Sequence, residues 1–482
     1  VTTTEPTTWP PTLQAALDRP PLDRRGWQTG LAPQAIGLFL WVAFFDQIPR
    51  EAVGRCGLLW PVAGAAVGGL LCYLLLFRAP ALWGQRTGRP IAVLAARTFG
   101  VDGATWVPGL LLTLVQVVWL AVATLYGTAL GLAGLQLTGF LDPGVQRPPH
   151  MAVVELRGTL FLVISLFWGL AAALTGRYLV RVIAALMSVY PLFPALLLGL
   201  TAAVALKGLP DYQASVDQRG GSTGGVFAAL VVVQMIFGFF SAAALLFADW
   251  GSVAREERDV RYGGWVGVAM APWVIATLAI LSVAGAFARY GLDTPAGVPR
   301  ALSFEQSVRI LVAGKTAGVM LIGFGLAALA PACYAAFLFG ERLNLLRPHV
   351  ARTKWTVAGA VLAWLLVASG LVSHLLPVFG FVGAVFAPVA GAISADYVRS
   401  RGAWTHPRRG WNRPGFLAWA VGLVVGLTPV VAGVLGYARL AAAQPAAVYA
   451  YLAAFVTYLA VAPLGESPDE PAIGPAPPAV DA

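Results

Sequence analysis

Apolar runs of about twenty residues recur along nearly the whole chain, parted by short polar or basic connectors; that is the helix length needed to cross a bilayer core. In hydrocarbon every backbone polar group must be satisfied internally, so a spanning segment is a helix or part of a closed barrel. The runs are continuous and not alternating, which selects helices. One run could be an anchor; about a dozen make an all-α polytopic bundle. A charged fraction of 11%, against about 25% in soluble domains, and a mean hydropathy of +0.75 exclude a soluble globule.

The runs read as twelve spans. Span 1 starts near Pro33 and is interrupted at FFDQIPR. The others cover about 59–77, 105–133, 158–175, 182–206, 226–248, 264–288, 316–340, 355–372, 375–395, 414–437 and 446–464. Residues 1 to 30 form a polar, Pro- and Thr-rich tail without the apolar core of a signal peptide. Residues 465 to 482 form an acidic, Pro-rich tail expected to be disordered. A short amphipathic helix near 301–312 is expected to lie at the membrane interface.

Basic residues favour one set of loops. Arg78, Arg86, Arg89 and Arg97 follow span 2, Arg342, Arg347, Arg352 and Lys354 follow span 8, and Arg399, Arg401, Arg408, Arg409 and Arg413 follow span 10. The opposite loops hold fewer, with Arg147 and Arg157 after span 3 and Lys207 and Arg219 after span 5. Loops rich in Lys and Arg stay in the cytoplasm, so both termini are expected there, in a multi-pass protein of the cytoplasmic membrane. The net charge of +10 then follows from topology, and no nucleic-acid partner is implied.

Residues 84 to 127, GQRTGRPIAVLAARTFGVDGATWVPGLLLTLVQVVWLAVATLYG, carry the densest signal. Gln116 and Trp119 lie three apart on one helical face, and Thr113, Ala123 and Tyr126 roughly continue the stripe. An amide in hydrocarbon needs a partner, so Gln116 faces other helices or a solvated cavity. The pair suits either packing between helices or a flat polar ring. In span 1, Asp46 is an acid within or at the edge of an apolar run, at a cost of about 2.5–3.5 kcal/mol. It reads as a functional carboxylate that carries a proton, or as a charged outer helix end paired with Arg50. Pro49 lacks an N–H, so Asp46–Gln47–Ile48–Pro49 reads as a break. Cys56, Cys72 and Cys333 and the four histidines lack metal-ligand spacing, and no nucleophile elbow, P-loop or dinucleotide fingerprint occurs. No enzyme activity and no cofactor is expected.

The pattern TG, LAARTFGV, PGLLL and QVVW resembles purine–cytosine permeases, the nucleobase–cation symporter-1 family. FFSAAALLFADW and FVGAVFAPVAGAISADYVRSR resemble that family's sixth and tenth helices, and the likeness covers roughly residues 84 to 400. It implies a secondary-active permease for a nucleobase or related flat heterocycle of purine, cytosine or hydantoin type, working by alternating access. The fold so implied is an amino-acid/sodium-symporter-like core, a five-plus-five inverted repeat in residues 31 to 400, followed by two additional helices in 401 to 464. By the same resemblance Gln116 and Trp119 belong to the substrate pocket, and Phe240 supplies a second ring that sandwiches the solute with Trp119. Asp396 and Tyr397 match the end of the tenth helix. Such transporters bind solute where corresponding helices of the two halves are broken, which adds Gln47 from span 1 and Gly238 from span 6.

One stretch departs from the pattern. Sodium-coupled members place hydroxyl side chains on span 8, whereas GFGLAALAPACYAAFLFG offers only Pro331, Cys333 and Tyr334. The resemblance therefore points away from sodium and leaves a proton, through Asp46, as the coupling ion. A membrane sensor that binds a heterocycle without transporting it is the alternative.

Overall fold

The computed structural model describes residues 13–14, 24–52, 57–141, 151–179, 190–212, 221–290, 302–404 and 408–465. The acidic tail and most of the first 23 residues lie outside them. Span 1 is a pair of helices, α1 (Leu31–Phe39) and α2 (Val42–Ala52), bent by 48°. Then come α3 (Leu59–Thr87), the connector α4 (Ile91–Thr98), α5 (Val101–Thr138), α6 (Thr159–Tyr178) and α7 (Leu192–Ala205). The second half has α8 (Gly221–Ser241), α9 (Phe247–Ser252), α10 (Glu257–Arg289), the connector α11 (Phe304–Val312), α12 (Gly314–Ala327) and α13 (Leu329–Leu346). It continues with α14 (Arg352–Ala368) and α15 (Leu375–Arg399), and α16 (Arg413–Val434) and α17 (Ala446–Val461) follow. Among the described residues eight segments are long and apolar enough to cross a bilayer, nine with the bent pair. The shorter α7, α14 and α17 occupy the other three expected positions.

Both breaks fall elsewhere than the sequence suggests. α2 runs through Pro49 to Ala52, and span 1 bends at Leu40–Trp41. A proline removes one backbone bond, and a membrane helix braced by neighbours absorbs that loss without ending. In span 6, α8 continues past Gly238 to Ser241, and a 3-10 turn at Ala243–Leu245 separates it from α9. Gly238 is small for another reason: a Cβ there would lie 2.6 Å from the carbonyl of Phe379 on α15.

The basic connector after span 2 is mostly helix, because α3 extends to Thr87 before α4 begins. Its TFGV segment pairs with the loop before α16. The Val101 N–H donates to the Arg408 carbonyl at 2.8 Å and the Asn412 N–H to that of Phe99 at 2.8 Å. Gly100, at φ 79°, is required at this crossing, since a Cβ would stand 2.2 Å from the Gly410 carbonyl. The expected interfacial helix is α11, but it does not lie on lipid. Phe304, Val308 and Leu311 are buried against the bundle, because packing on protein also satisfies an amphipathic face.

Both described ends gather on the face that carries α4. The Arg25 N–H donates to Val253 at 2.7 Å and that of Trp27 to Asp259 at 3.0 Å, while Ala462 packs in one buried cluster with Phe99 and Ala395.

Candidate functional site

α5 threads the centre of the bundle, and three features are strung along it. At its middle, Trp119 meets Trp41 edge-on at 5.5 Å between ring centroids, Phe239 at 5.3 Å and Phe379 at 6.3 Å. Trp41 sits at the bend of span 1, Phe239 near the end of α8, and Phe379 on α15. The rings of both broken spans therefore converge on Trp119. Phe240 does not join them. One residue on, it is turned by about 100° around the helix and stacks on Phe39 at 3.8 Å and 4°. The expected sandwich of Trp119 with Phe240 is not formed, and Phe239 is the ring that faces Trp119. In the FF pair the choice between neighbours depends on helix rotation, which sequence leaves open. Trp41 and Phe379 carried no signal beyond being aromatic.

Gln116 lies one turn below Trp119 and is buried. Its Nε2 donates to the Leu112 carbonyl of its own helix at 3.2 Å, and among the described residues it bonds no other helix. That leaves the amide oxygen and the second Nε2 hydrogen without a partner on another helix, and makes the side chain poor helix–helix glue.

A cavity of about 360 Å³ opens beyond the cluster on one face, lined by Asp46, Gln47, Arg50, Tyr126, Glu305 and Ser373 among others. A second, of about 110 Å³, lies on the α4 face against Ala96, Thr105, Gly109, Thr113, Arg342 and Leu346. Thr113 and Tyr126 are about 20 Å apart along α5 at 1.5 Å per residue. The ring cluster stands between the two cavities.

In the larger cavity Asp46 is 2% exposed and fully engaged. Its Oδ2 accepts from the Tyr126 hydroxyl at 2.8 Å and Gln47 Nε2 at 3.2 Å, and Arg50 Nε lies at 3.3 Å. Its Oδ1 accepts the first N–H of α11, from Phe304, at 2.7 Å. Four donors on one carboxylate are what an ionised, acceptor-only group uses. The Arg50 pairing is present, and so is burial; the sequence had set these as alternatives. Gln47 also donates to Tyr126 at 3.3 Å, which places it about 10 Å along α5 from Trp119, in this cluster and apart from the rings. On α11, burial pushes the Glu305 carboxyl up, with Arg309 drawing it back.

On the opposite face the two Ala-Asp-aromatic endings converge on α4. Asp249 Oδ1 accepts the first N–H of α4, from Ile91, at 2.8 Å. Asp396, 1% exposed, accepts from Arg97 Nε at 3.2 Å and the Thr98 hydroxyl at 2.9 Å. Asn412 Nδ2 donates to the Thr98 carbonyl at 2.7 Å. Span 8 carries one more arrangement. Pro331 has no N–H to offer the Ala327 carbonyl, and the Tyr190 hydroxyl donates to that oxygen at 2.6 Å. The carbonyl most available as an ion ligand is thus already bonded. Among the described residues no group of His, Cys, Asp and Glu could hold a metal ion.

A family model described as a permease for cytosine/purines, uracil, thiamine and allantoin matches residues 56–454. The fold is similar to the inward-facing conformation of Mhp1, with TM-score 0.63 and 18% identity over 94% of this chain and 96% of that one. It is similar to Mhp1, a nucleobase-cation-symport-1 family transporter, closed with bromovinylhydantoin bound, with TM-score 0.62 and 16% identity over 93% and 96%. The structure of MhsT with L-phenylalanine gives TM-score 0.51 and 16% identity over 90% and 100%. No curated sequence matches the chain.

Proposed function

The chain belongs to the permease family for cytosine/purines, uracil, thiamine and allantoin, and on that premise we propose that its solute is a flat nitrogen heterocycle held at Trp119. The observation that carries this reading is the ring cluster of Trp119, Trp41, Phe239 and Phe379 between two cavities on opposite faces. A planar ring entering between Trp119 and Phe239 replaces ring–ring contacts with base–ring stacking, worth about 1–3 kcal/mol per base. Gln116 stands one turn away, with an amide oxygen that accepts from a ring N–H. Gly238 backs the slot by letting α8 lie against the Phe379 carbonyl. The basic face is cytoplasmic by the placement of Arg and Lys, so the larger cavity opens outward and solute moves towards the face of α4. Ions play a lesser part in this reading: Asp46 is bonded in a way that suits a fixed charge.

Uptake of radiolabelled heterocycles into proteoliposomes, across a panel of nucleobases, hydantoins and ring-bearing vitamins, tests it. Trp119→Ala and Phe239→Ala should each weaken binding of the accepted solute about tenfold, the loss of one stacking contact. Phe240→Ala should lower thermal stability and leave affinity close to the parent's. Retained affinity in a folded Trp119→Ala protein would remove the slot. Binding without accumulation in the parent would favour the sensor reading.

A further inference from the structure

The two connector helices are related in a way that singles out two carboxylates. α4 joins spans 2 and 3, and α11 joins spans 7 and 8, which are corresponding places in a five-plus-five repeat. Each has its first N–H capped by an aspartate from a broken span. Asp46 of span 1 caps Phe304 of α11, and Asp249 of span 6 caps Ile91 of α4. The two acids are equivalent in their own spans. Each follows the break, and each stands two residues after a buried phenylalanine, Phe44 in one case and Phe247 in the other. Each reaches across to the connector of the other half, so the pair is exchanged by the repeat. Any arrangement in which the two halves trade roles must keep this exchange.

We propose that Asp46 and Asp249 are a symmetry-related pair of positioning residues, each holding one face of the permease closed by capping the other half's connector helix. A carboxylate at a helix N-terminus gains from both the free N–H groups and the helix dipole. Because the break lies just before each acid, the segment bearing it turns with its connector as one body. When the cap at one face opens, the equivalent cap at the other face is the contact that holds. This rests on the alternating-access reading above, and it assigns the holding contacts that reading leaves unnamed.

The test reads the two faces separately and needs no solute. In purified protein lacking Cys56, Cys72 and Cys333, one reporter is placed in each cavity wall on α5: Leu125→Cys for the larger, Thr113→Cys for the smaller. Both positions are buried. Asp46→Ala should raise the labelling rate of Leu125→Cys by a polar maleimide roughly fivefold and lower that of Thr113→Cys, the shift expected from losing one helix cap. Asp249→Ala should do the reverse. Asp46→Asn and Asp249→Asn keep an acceptor oxygen and should label nearly as the parent does. They also serve if either alanine variant fails to fold, because simultaneous Ile91→Pro or Phe304→Pro then deletes the capped N–H instead. Shifts of the same sign in both variants, or none, would overturn the pairing. If the opposed shifts appear but no heterocycle is taken up, the pairing stands and the substrate reading falls.

Discussion

Connector helix α4 has no side-chain cap of its own: Pro90 precedes it, and its first N–H relies on Asp249. Connector α11 carries a complete capping box, Ser303 with Gln306, beneath the bond from Asp46. Their surroundings differ in the opposite sense. α4 is tied again at its far end, where Arg97 and Thr98 meet the buried Asp396 of span 10 and Asn412 holds the Thr98 carbonyl. The span that corresponds to span 10 in the other half is α7, LFPALLLGLTAAVA, whose single polar side chain, Thr201, donates to its own Leu197 carbonyl at 2.8 Å. α7 therefore offers α11 packing and no buried carboxylate, and the far end of α11 is held by a hydrogen bond from the Arg289 guanidinium of α10 to the Leu311 carbonyl at 2.9 Å. The weakly self-capped helix is tied at its far end by a buried ion pair, and the self-capped one, beside the larger cavity, by hydrogen bonds from Arg289 and Arg309 to backbone carbonyls. Repeat symmetry supplies the shared caps; the added ties make the faces unequal.

The strongest way to break this comparison is to remove the added tie. Asp396→Ala leaves the Arg97 guanidinium, 11% exposed, without its carboxylate, and breaking a buried pair costs about 3–5 kcal/mol. Thermal unfolding in detergent should register this as the largest loss of the set, with part recovered in Arg97→Ala/Asp396→Ala. A smaller step acts on the other face. Ser303→Ala removes the capping box of α11 at a cost of about 1 kcal/mol, measured in the same assay. Should it cost as much as Asp396→Ala, the faces would be equally fastened and the contrast would fail. The least change is expected from Arg50→Ala. Arg50 is 41% exposed, a pair with so exposed a partner is worth about 0–1 kcal/mol, and Asp46 keeps its bonds from Tyr126, Gln47 and Phe304. A large loss there would mean that Arg50, and not α11, is what Asp46 serves.

Much of the chain was legible before any coordinates. The spans and the family could be read because membrane helices need long apolar runs and because the motif from Gly84 to Gly127 is extended. The breaks were harder. Pro49 looked like the interruption of span 1, and the bend is at Leu40–Trp41, where the sequence has no proline or glycine. A bend between helices is set by what packs on each side of it, here Trp119 and Phe239 against Trp41. The site was legible in part. Trp119 does lie among converging rings, but its partner is Phe239, because the rotation of α8 is fixed by Gly238 fitting against Phe379.

Asp46 shows the same division. The sequence alone determined that a carboxylate in an apolar span must have partners, since an unpaired charge there is too costly. It could offer Arg50, four residues on, because local spacing is all that a linear pattern contains. The Phe304 N–H and the Tyr126 hydroxyl come from segments 258 and 80 residues away, and only the folded chain brings them within reach. Hydropathy along a chain is a sum over local residues, so it fixes which segments enter the membrane. Hydrogen bonds between distant segments depend on helix rotation and register, so the tertiary structure decided which helix the buried charge would cap.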